Sequence, residues 1–263
     1  MINAEKIVKV LNRKYSINNV DYAIVVGSGL MDSVPDLEDM KIVAYDKLGM
    51  PKSKVKGHSG KFIFGRYADK NVVLVSRQHY YESGDMNKVR LPFEIVAKLG
   101  VKKVVLLTSS GGINKTFRVG DIMLIKDHIN LTGNNPLIGI DPLEFTPMAD
   151  AYNKEIFNKM VEIADKHDVN VRQGIHIQLS GPSYETLAEI DVARNMGADT
   201  VSMSTAYDCI ISNYLKMKVC GIASVVNVFT EKEAEELNHE EVLENAKKAC
   251  AKIKTILCEL IKE

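Results

Sequence analysis

Residues 179–205 read LSGPSYETLAEIDVARNMGADTVSMST and hold the most specific pattern in the chain. A loop of small residues carries Tyr184 and Glu185 and leads into a helix predicted over Leu187–Met196. A short strand predicted over Thr200–Met203 follows and ends in a Ser-Thr pair. The pattern therefore places an aromatic ring, a carboxylate and two hydroxyls at the mouths of two adjacent elements.

Strand-like and helix-like runs alternate on both sides of this stretch. The runs Tyr22–Val26 and Lys103–Thr108 are apolar and rich in valine and isoleucine or leucine, as is typical of strands covered on both faces. Phe62–Tyr67 and Val72–Arg77 flank a short polar turn, which favours an antiparallel hairpin. The alternation predicts one α/β domain over residues 1–263, with a mixed central sheet flanked by helices on both faces. Further strands are predicted at Asp121–Ile129, Gly174–Leu179 and Val219–Val226, and further helices at Ala4–Lys14, Leu91–Leu99, Ala151–Lys166, Tyr207–Lys216 and His239–Ile261.

The composition limits the classes of partner that we expect this protein to bind. Lys+Arg and Asp+Glu both number 34 in the 263 residues, so no global basic field favours a nucleic acid polymer. No apolar run approaches the ~18–20 residues of a membrane span. The four cysteines form no C-x-x-C pair and have no histidine at metal-ligand spacing, and no secretory leader precedes them. We expect reduced thiols, no metal site and a cytoplasmic protein.

Two glycine-rich segments do not match the common nucleotide-binding motifs. Gly27-Ser28-Gly29 follows a strand and suits anion binding, yet it does not complete G-x-G-x-x-G, so a dinucleotide-dependent oxidoreductase is a distant alternative. The Ser28 segment taken alone fits a plain strand-to-helix turn equally well. Gly57-His58-Ser59-Gly60-Lys61 lacks the P-loop spacing and precedes a strand, which excludes an NTPase.

Polar side chains follow a predicted strand at Arg77-Gln78-His79-Tyr80-Tyr81-Glu82. If the extended conformation continues, Arg77, His79 and Tyr81 share one side and converge on an anion or hydroxyl. Glu82 is placed to orient the imidazole of His79. The alternative is a solvated polar loop.

Small residues at Thr108-Ser109-Ser110-Gly111-Gly112 end another strand and offer backbone N–H groups to an anion.

Glu185 and Asn227 are candidate readers of a heterocyclic base. A 6-oxopurine presents one donor, N1–H, and the acceptors O6 and N7; a carboxylate with a carboxamide matches that edge. Each residue has a plainer interpretation, Glu185 as a first-turn helix acid and Asn227 as a turn cap.

Together these motifs resemble those of the trimeric purine nucleoside phosphorylases. The resemblance runs from about Ile24 to about Glu244. It rests on Gly27-Ser28-Gly29-Leu30, Gly57-His58-Ser59-Gly60, Arg77 with His79, Asp127-His128-Ile129-Asn130-Leu131, Gly181-Pro182-Ser183-Tyr184-Glu185-Thr186, Met203-Ser204-Thr205, Asn227 and Asn238-His239-Glu240-Glu241-Val242.

The resemblance implies reversible phosphorolysis of inosine- or guanosine-type nucleosides by a homotrimer, with inorganic phosphate as co-substrate and no cofactor. It implies that Asn227, His79 and Glu185 act in catalysis. It places phosphate at Ser28, Arg77, His79, the Ser109 amide and Ser204; ribose at Tyr81, Met203, His239 and a neighbouring subunit's Phe145; and the purine at Tyr184, Glu185 and Asn227.

The chain departs from that family at several places, among them a shorter loop after Asn130 and a shorter stretch from Asn227 to His239. Ala206-Tyr207-Asp208 stands where the family usually has Val-Pro-Glu, and Val226 stands where a threonine is common. Two alternatives follow: a phosphorylase of 6-aminopurine nucleosides such as methylthioadenosine, which Asn227 disfavours, and a non-catalytic purine nucleoside-binding module.

Overall fold

A computed structural model describes residues 3–53, 60–142, 144–229 and 239–263, without the side chain of His239. The strands are β1 (Tyr22–Val26), β2 (Glu38–Ala44), β3 (Lys61–Tyr67), β4 (Lys70–Ser76), β5 (Lys103–Gly112), β6 (Ile122–Asn130), β7 (Arg172–Gln178), β8 (Thr200–Ser202) and β9 (Lys218–Val228). The helices are α1 (Ala4–Tyr15), α2 (Tyr80–Ser83), α3 (Met86–Lys98), α4 (Lys154–Lys166), α5 (Leu187–Asn195), α6 (Ala206–Tyr214) and α7 (His239–Lys262), with short 3₁₀ turns at Met31–Ser33 and Tyr45–Leu48.

The described strands form one mixed sheet in the order β2-β3-β4-β1-β5-β8-β7-β6-β9. β1 lies parallel to β4 and β5, whereas β3 is antiparallel to both β2 and β4. The predicted hairpin is present: β3 and β4 are joined at Ala68 and Asp69, whose φ angles of 48° and 63° suit a type I′ turn.

The second half of the sheet closes on itself. β9 pairs with β6 on one side and with β5 on the other, so β5, β8, β7, β6 and β9 form a continuous ring of strands. Among the described strands, β2 is therefore the one with an unpaired side. β2 was not predicted, because its residues Glu38–Ile42 are all exposed and show no buried face.

Helices cover both faces of the sheet, as predicted. One core cluster joins α1, α3 and α6 to the sheet through residues such as Leu11, Phe93 and Ile211. The opposite cluster joins α4 and α7 through residues such as Met160 and Ile253. α5 covers a third, smaller cluster beside β7 and β8.

Helix starts differ from prediction where a cap lies nearby. α3 begins at Met86, five residues before the expected Leu91, because the Asp85 carboxylate accepts a hydrogen bond from the Asn87 amide at 3.0 Å. α4 begins at Lys154 instead of Ala151, because Asn153 caps the Ile156 amide at 3.1 Å. In the described ranges, no helix combines the length and the apolar character that crossing a membrane requires.

Candidate active site

A cleft of about 330 Å³ opens where four parallel strands end. β1, β4, β5 and β9 run in the same direction, so their carboxyl ends meet at one edge of the sheet. Ligands of open α/β sheets bind at such edges. The loop before α5 and the segment after β8 complete the lining.

Ten of the twelve predicted site residues line this one cleft. They are Ser28, Arg77, His79, Tyr81, Ser109, Tyr184, Glu185, Met203, Ser204 and Asn227. Phe145 does not line it: its side chain is 95% exposed. The backbone of His239 opens α7, while its side chain, like residues 54–59 with His58, lies outside the described part of the chain. Asn238 also lies outside the described part of the chain.

The guanidinium of Arg77 is largely engaged inside the protein. Its side chain is buried and forms an ion pair through Nε with the equally buried Asp208. Its Nη1 donates to the Leu107 carbonyl at 2.7 Å. The remaining nitrogen, Nη2, is buried and has no hydrogen-bond partner among the described residues. Two of the three guanidinium nitrogens of Arg77 are therefore already engaged within the protein.

His79 lies where the chain leaves β4. The expected extended run to Tyr81 is absent, because α2 begins at Tyr80. His79 and Tyr81 nevertheless share the cleft, with ring centroids 4.9 Å apart in a stacked arrangement. The expected contact with Glu82 is present: its carboxylate lies 3.2 Å from Nδ1 of His79 and accepts from the His79 amide at 3.2 Å. Ser53 donates to the other oxygen of that carboxylate at 2.8 Å.

A short hydrogen bond joins the loop after β1 to strand β5. The Ser109 hydroxyl donates to the Ser28 carbonyl at 2.6 Å. Gly27 permits this approach, since a Cβ there would lie 2.8 Å from the Leu107 carbonyl oxygen. The ends of β1 and β5 are thus fixed against each other in the lining of the cleft.

A network of hydroxyls and one imidazole lies within the ring of strands. The Thr108 hydroxyl lies 3.3 Å from that of Ser202 and 3.4 Å from that of Ser204. The fully buried His176 bridges Thr200 and Ser202 with its two ring nitrogens, each at 3.0 Å. Burial lowers the pKa of His176 to about 3, so the ring is neutral near pH 7 and both donates and accepts.

The remaining wall carries Glu185, Asn227 and the aromatic ring of Phe229. Burial raises the pKa of the Glu185 carboxyl, partly offset by a hydrogen bond from its own backbone. A Cβ on Gly111 would lie 2.5 Å from the Phe229 ring and 3.2 Å from Nδ2 of Asn227. A glycine at 111 therefore allows both side chains to pack over the end of β5.

Sequence reasoning missed Asp208, His176 and Phe229. Asp208 had appeared only as a departure from the family pattern, and no local signal showed that it reaches Arg77, 131 positions away. His176 is an internal strand residue and lacks any motif. No group of three His, Cys, Asp or Glu side chains that could hold a metal occurs within the described ranges.

Comparison with known proteins gives consistent matches along the chain. Residues 21–262 match the family described as the phosphorylase superfamily. The chain is 36% identical to purine nucleoside phosphorylase 1 of Geobacillus stearothermophilus, covering 87% of this chain and 85% of that protein. It is 36% identical to purine nucleoside phosphorylase of Bos taurus, covering 88% and 84%. The crystal structure of Schistosoma mansoni purine nucleoside phosphorylase with inosine superposes with a TM-score of 0.89 at 29% identity, covering 100% of this chain and 98% of that one.

Proposed function

The chain belongs to the purine nucleoside phosphorylases of the phosphorylase superfamily, and from this membership we propose that it catalyses the reversible phosphorolysis of 6-oxopurine nucleosides. Inosine and guanosine would give the free base and ribose 1-phosphate. The family and the α/β fold predicted from the sequence are confirmed.

One observation of the structure carries the proposal: the anion-binding candidates and the base-reading candidates line the same cleft. Arg77 and His79 reach it from the end of β4, and Asn227 reaches it from the end of β9. Glu185 reaches it from the loop before α5. Residues 150 positions apart in the chain thus contribute to a single site that suits a substrate with both an oxyanion and a heterocycle.

In the proposed reaction a phosphate oxygen attacks C1′ of the ribose as the bond from C1′ to purine N9 breaks. The electron pair of that bond leaves with the purine. Asn227 donates to N7 as this negative charge grows, and Glu185 accepts N1–H and fixes the ring. Inorganic phosphate is the co-substrate, and no metal or cofactor takes part.

We assign the remaining cleft residues on the same basis. Phosphate is held by Nη2 of Arg77, by His79 and by backbone and hydroxyl donors at Ser28 after β1, Ser109 in the last part of β5 and Ser204 after β8. Tyr81 and Met203 contact ribose, and Tyr184 packs on the base. The prediction that His239 contacts ribose concerns a side chain outside the described part of the chain. These contacts position the reactants, and positioning can supply a large part of a rate enhancement.

The proposal is tested by incubating the protein with inosine or guanosine, with and without inorganic phosphate, and separating products by chromatography. We expect base and ribose 1-phosphate only when phosphate is present. Purine binding with no turnover of either nucleoside would contradict the proposal and favour a binding module. Faster turnover of methylthioadenosine than of inosine would favour the 6-aminopurine enzyme, which Asn227 disfavours because its amide donates to O6.

We further propose a homotrimer in which Phe145 completes the ribose site of a neighbour, acting in purine salvage in the cytoplasm. The exposed apolar side chains of Phe145 (95%) and Ile138 (66%), in the irregular segment after β6, support it. Light scattering coupled to size exclusion should give three times the 29.2 kDa chain mass. Phe145→Ala should raise KM for inosine, whereas Met40→Ala, at another exposed apolar side chain on β2, should not. A monomer with full activity would contradict the assembly.

A further inference from the structure

Asp208 occupies an unusual position for a charged residue. It lies in the first turn of α6, where helix N-terminal amides favour a carboxylate. Its side chain is 5% exposed and that of Arg77 is 4% exposed, so the ion pair is shielded from solvent. Buried partners of this kind are strongly coupled, because removing one leaves the other uncompensated.

The pair determines which part of Arg77 remains available. Asp208 accepts from Nε, and the Leu107 carbonyl accepts from Nη1 at 2.7 Å. These two bonds point in different directions and fix the guanidinium plane. Nη2 is left buried and without a partner on a residue that lines the cleft.

The pair also determines the net charge of the part of the cleft that Arg77 lines. Of the cleft-lining residues that the structure describes, Arg77 is the one with a permanent positive charge. Asp208 offsets that charge within the same pair. An anion bound here would depend on one directed N–H group together with hydroxyl and backbone donors, more than on a net positive field.

We propose that Asp208 is a positioning residue for the phosphate subsite, which holds Arg77 so that Nη2 is presented to the bound anion. The inference rests on the proposed function, since it takes phosphate as the anion. Asp208 itself touches neither phosphate nor nucleoside. It acts on phosphate binding through Arg77, and the binding of the nucleoside base is independent of it.

The test compares Asp208→Ala and Asp208→Asn with the unmodified protein. Alanine removes the acceptor for Nε, and we expect the phosphate KM to rise about tenfold to a hundredfold, the size typical of a lost hydrogen bond to a charged group. Asparagine keeps an oxygen acceptor without the charge, so the phosphate KM of Asp208→Asn should lie between that of the unmodified protein and that of Asp208→Ala. The KM for inosine should stay within about threefold in both variants.

Asp121→Asn is the control for the loss of a carboxylate–arginine pair, at a more exposed position. Asp121 pairs with Nε of Arg172 at 3.1 Å, the same type of contact outside the cleft lining. It should leave the phosphate KM unchanged. Calorimetric titration with inorganic phosphate should give the same ranking of affinities, and this measurement does not depend on turnover.

The outcomes separate the two proposals. No phosphate-dependent turnover by the unmodified protein refutes the function, and the titration then decides the role of Asp208. An unchanged phosphate affinity in Asp208→Ala, or equal rises in both KM values, overturns that role and indicates a purely structural pair. If circular dichroism shows Asp208→Ala unfolded, Asp208→Asn decides: a phosphate affinity equal to that of Asp121→Asn overturns the inference.

Discussion

At the scale of single residues, the protonation of Glu185 bears directly on turnover, because only its carboxylate accepts the purine N1–H. Burial raises its pKa above the ordinary 4.5. As pH falls through that raised pKa the carboxyl becomes protonated, so kcat/KM for inosine should fall at a higher pH than for an exposed glutamate. The measurement is a pH profile at saturating phosphate. Glu185→Gln should be slower and should lack this acid limb; an identical limb in the variant would contradict the assignment.

Asn227 offers a second test at this scale. Replacing it with alanine removes one donor aimed at the leaving purine, and kcat/KM for inosine should fall about 10²–10³-fold. Asn195→Ala, which changes an exposed asparagine at the end of α5, is the control and should keep full activity. A loss confined to KM, with kcat unchanged, would show that Asn227 serves binding alone.

Ten of the residues that line the cleft could be identified from the sequence, because they lie next to strands in recognisable motifs. Arg77, Glu185 and Asn227 each stand at the end of an element, and the ends of parallel strands meet at one edge. Asp208 and Phe229 were not predicted as site residues, because their roles depend on contacts with residues far away in the sequence. The use of two Arg77 nitrogens inside the protein could not be predicted, because local sequence carries no record of which side chains a guanidinium meets.

At the scale of elements, the turn between β3 and β4 carries an alanine in the left-handed region, with φ of 48° at Ala68. That conformation costs an L-residue about 1–2 kcal/mol and costs glycine little. Ala68→Gly should therefore stabilise the fold by about 0.5–1 kcal/mol in urea unfolding. The same change at the exposed Ala251, within α7, should destabilise by about 1 kcal/mol. Equal signs at the two sites would contradict the argument.

Element types were predictable wherever an apolar period was strong. α1 and β1 match their predicted positions to within a residue, because Ile7 and Leu11, or the run from Tyr22, form a clear buried pattern. Starts such as that of α3 depended on the Asp85 cap, a polar signal that the apolar period does not contain. β8 pairs with β5 through two residues only, a closure that no local pattern shows.

At the scale of the whole molecule, His176 links pH to stability. Its pKa falls from 6.5 to about 3 in the folded protein, so between these values the unfolded chain binds a proton that the folded chain does not. The free energy of unfolding should therefore decrease as pH is lowered from 6.5, by at most about 1.4 kcal/mol per pH unit from this group.

Urea unfolding at several pH values measures this dependence. His176→Gln should flatten the slope between pH 6.5 and about 3, whereas His167→Gln, at an exposed position after α4, should keep it. An unchanged slope in His176→Gln would show that other groups dominate the acid response.

Closure of the strand ring leaves β2 with an unpaired side at the edge of the described sheet, and its residues Met40 and Ile42 are mostly exposed. A bulge between Glu38 and Lys41 interrupts its pairing, and Lys41 places a charge between the two apolar side chains. In concentrated solution this short segment would govern solubility, because charges and bulges prevent strands of separate molecules from joining. Lys41→Val should therefore increase turbidity during refolding at high protein concentration, while Lys70→Val at the start of the interior strand β4 should not.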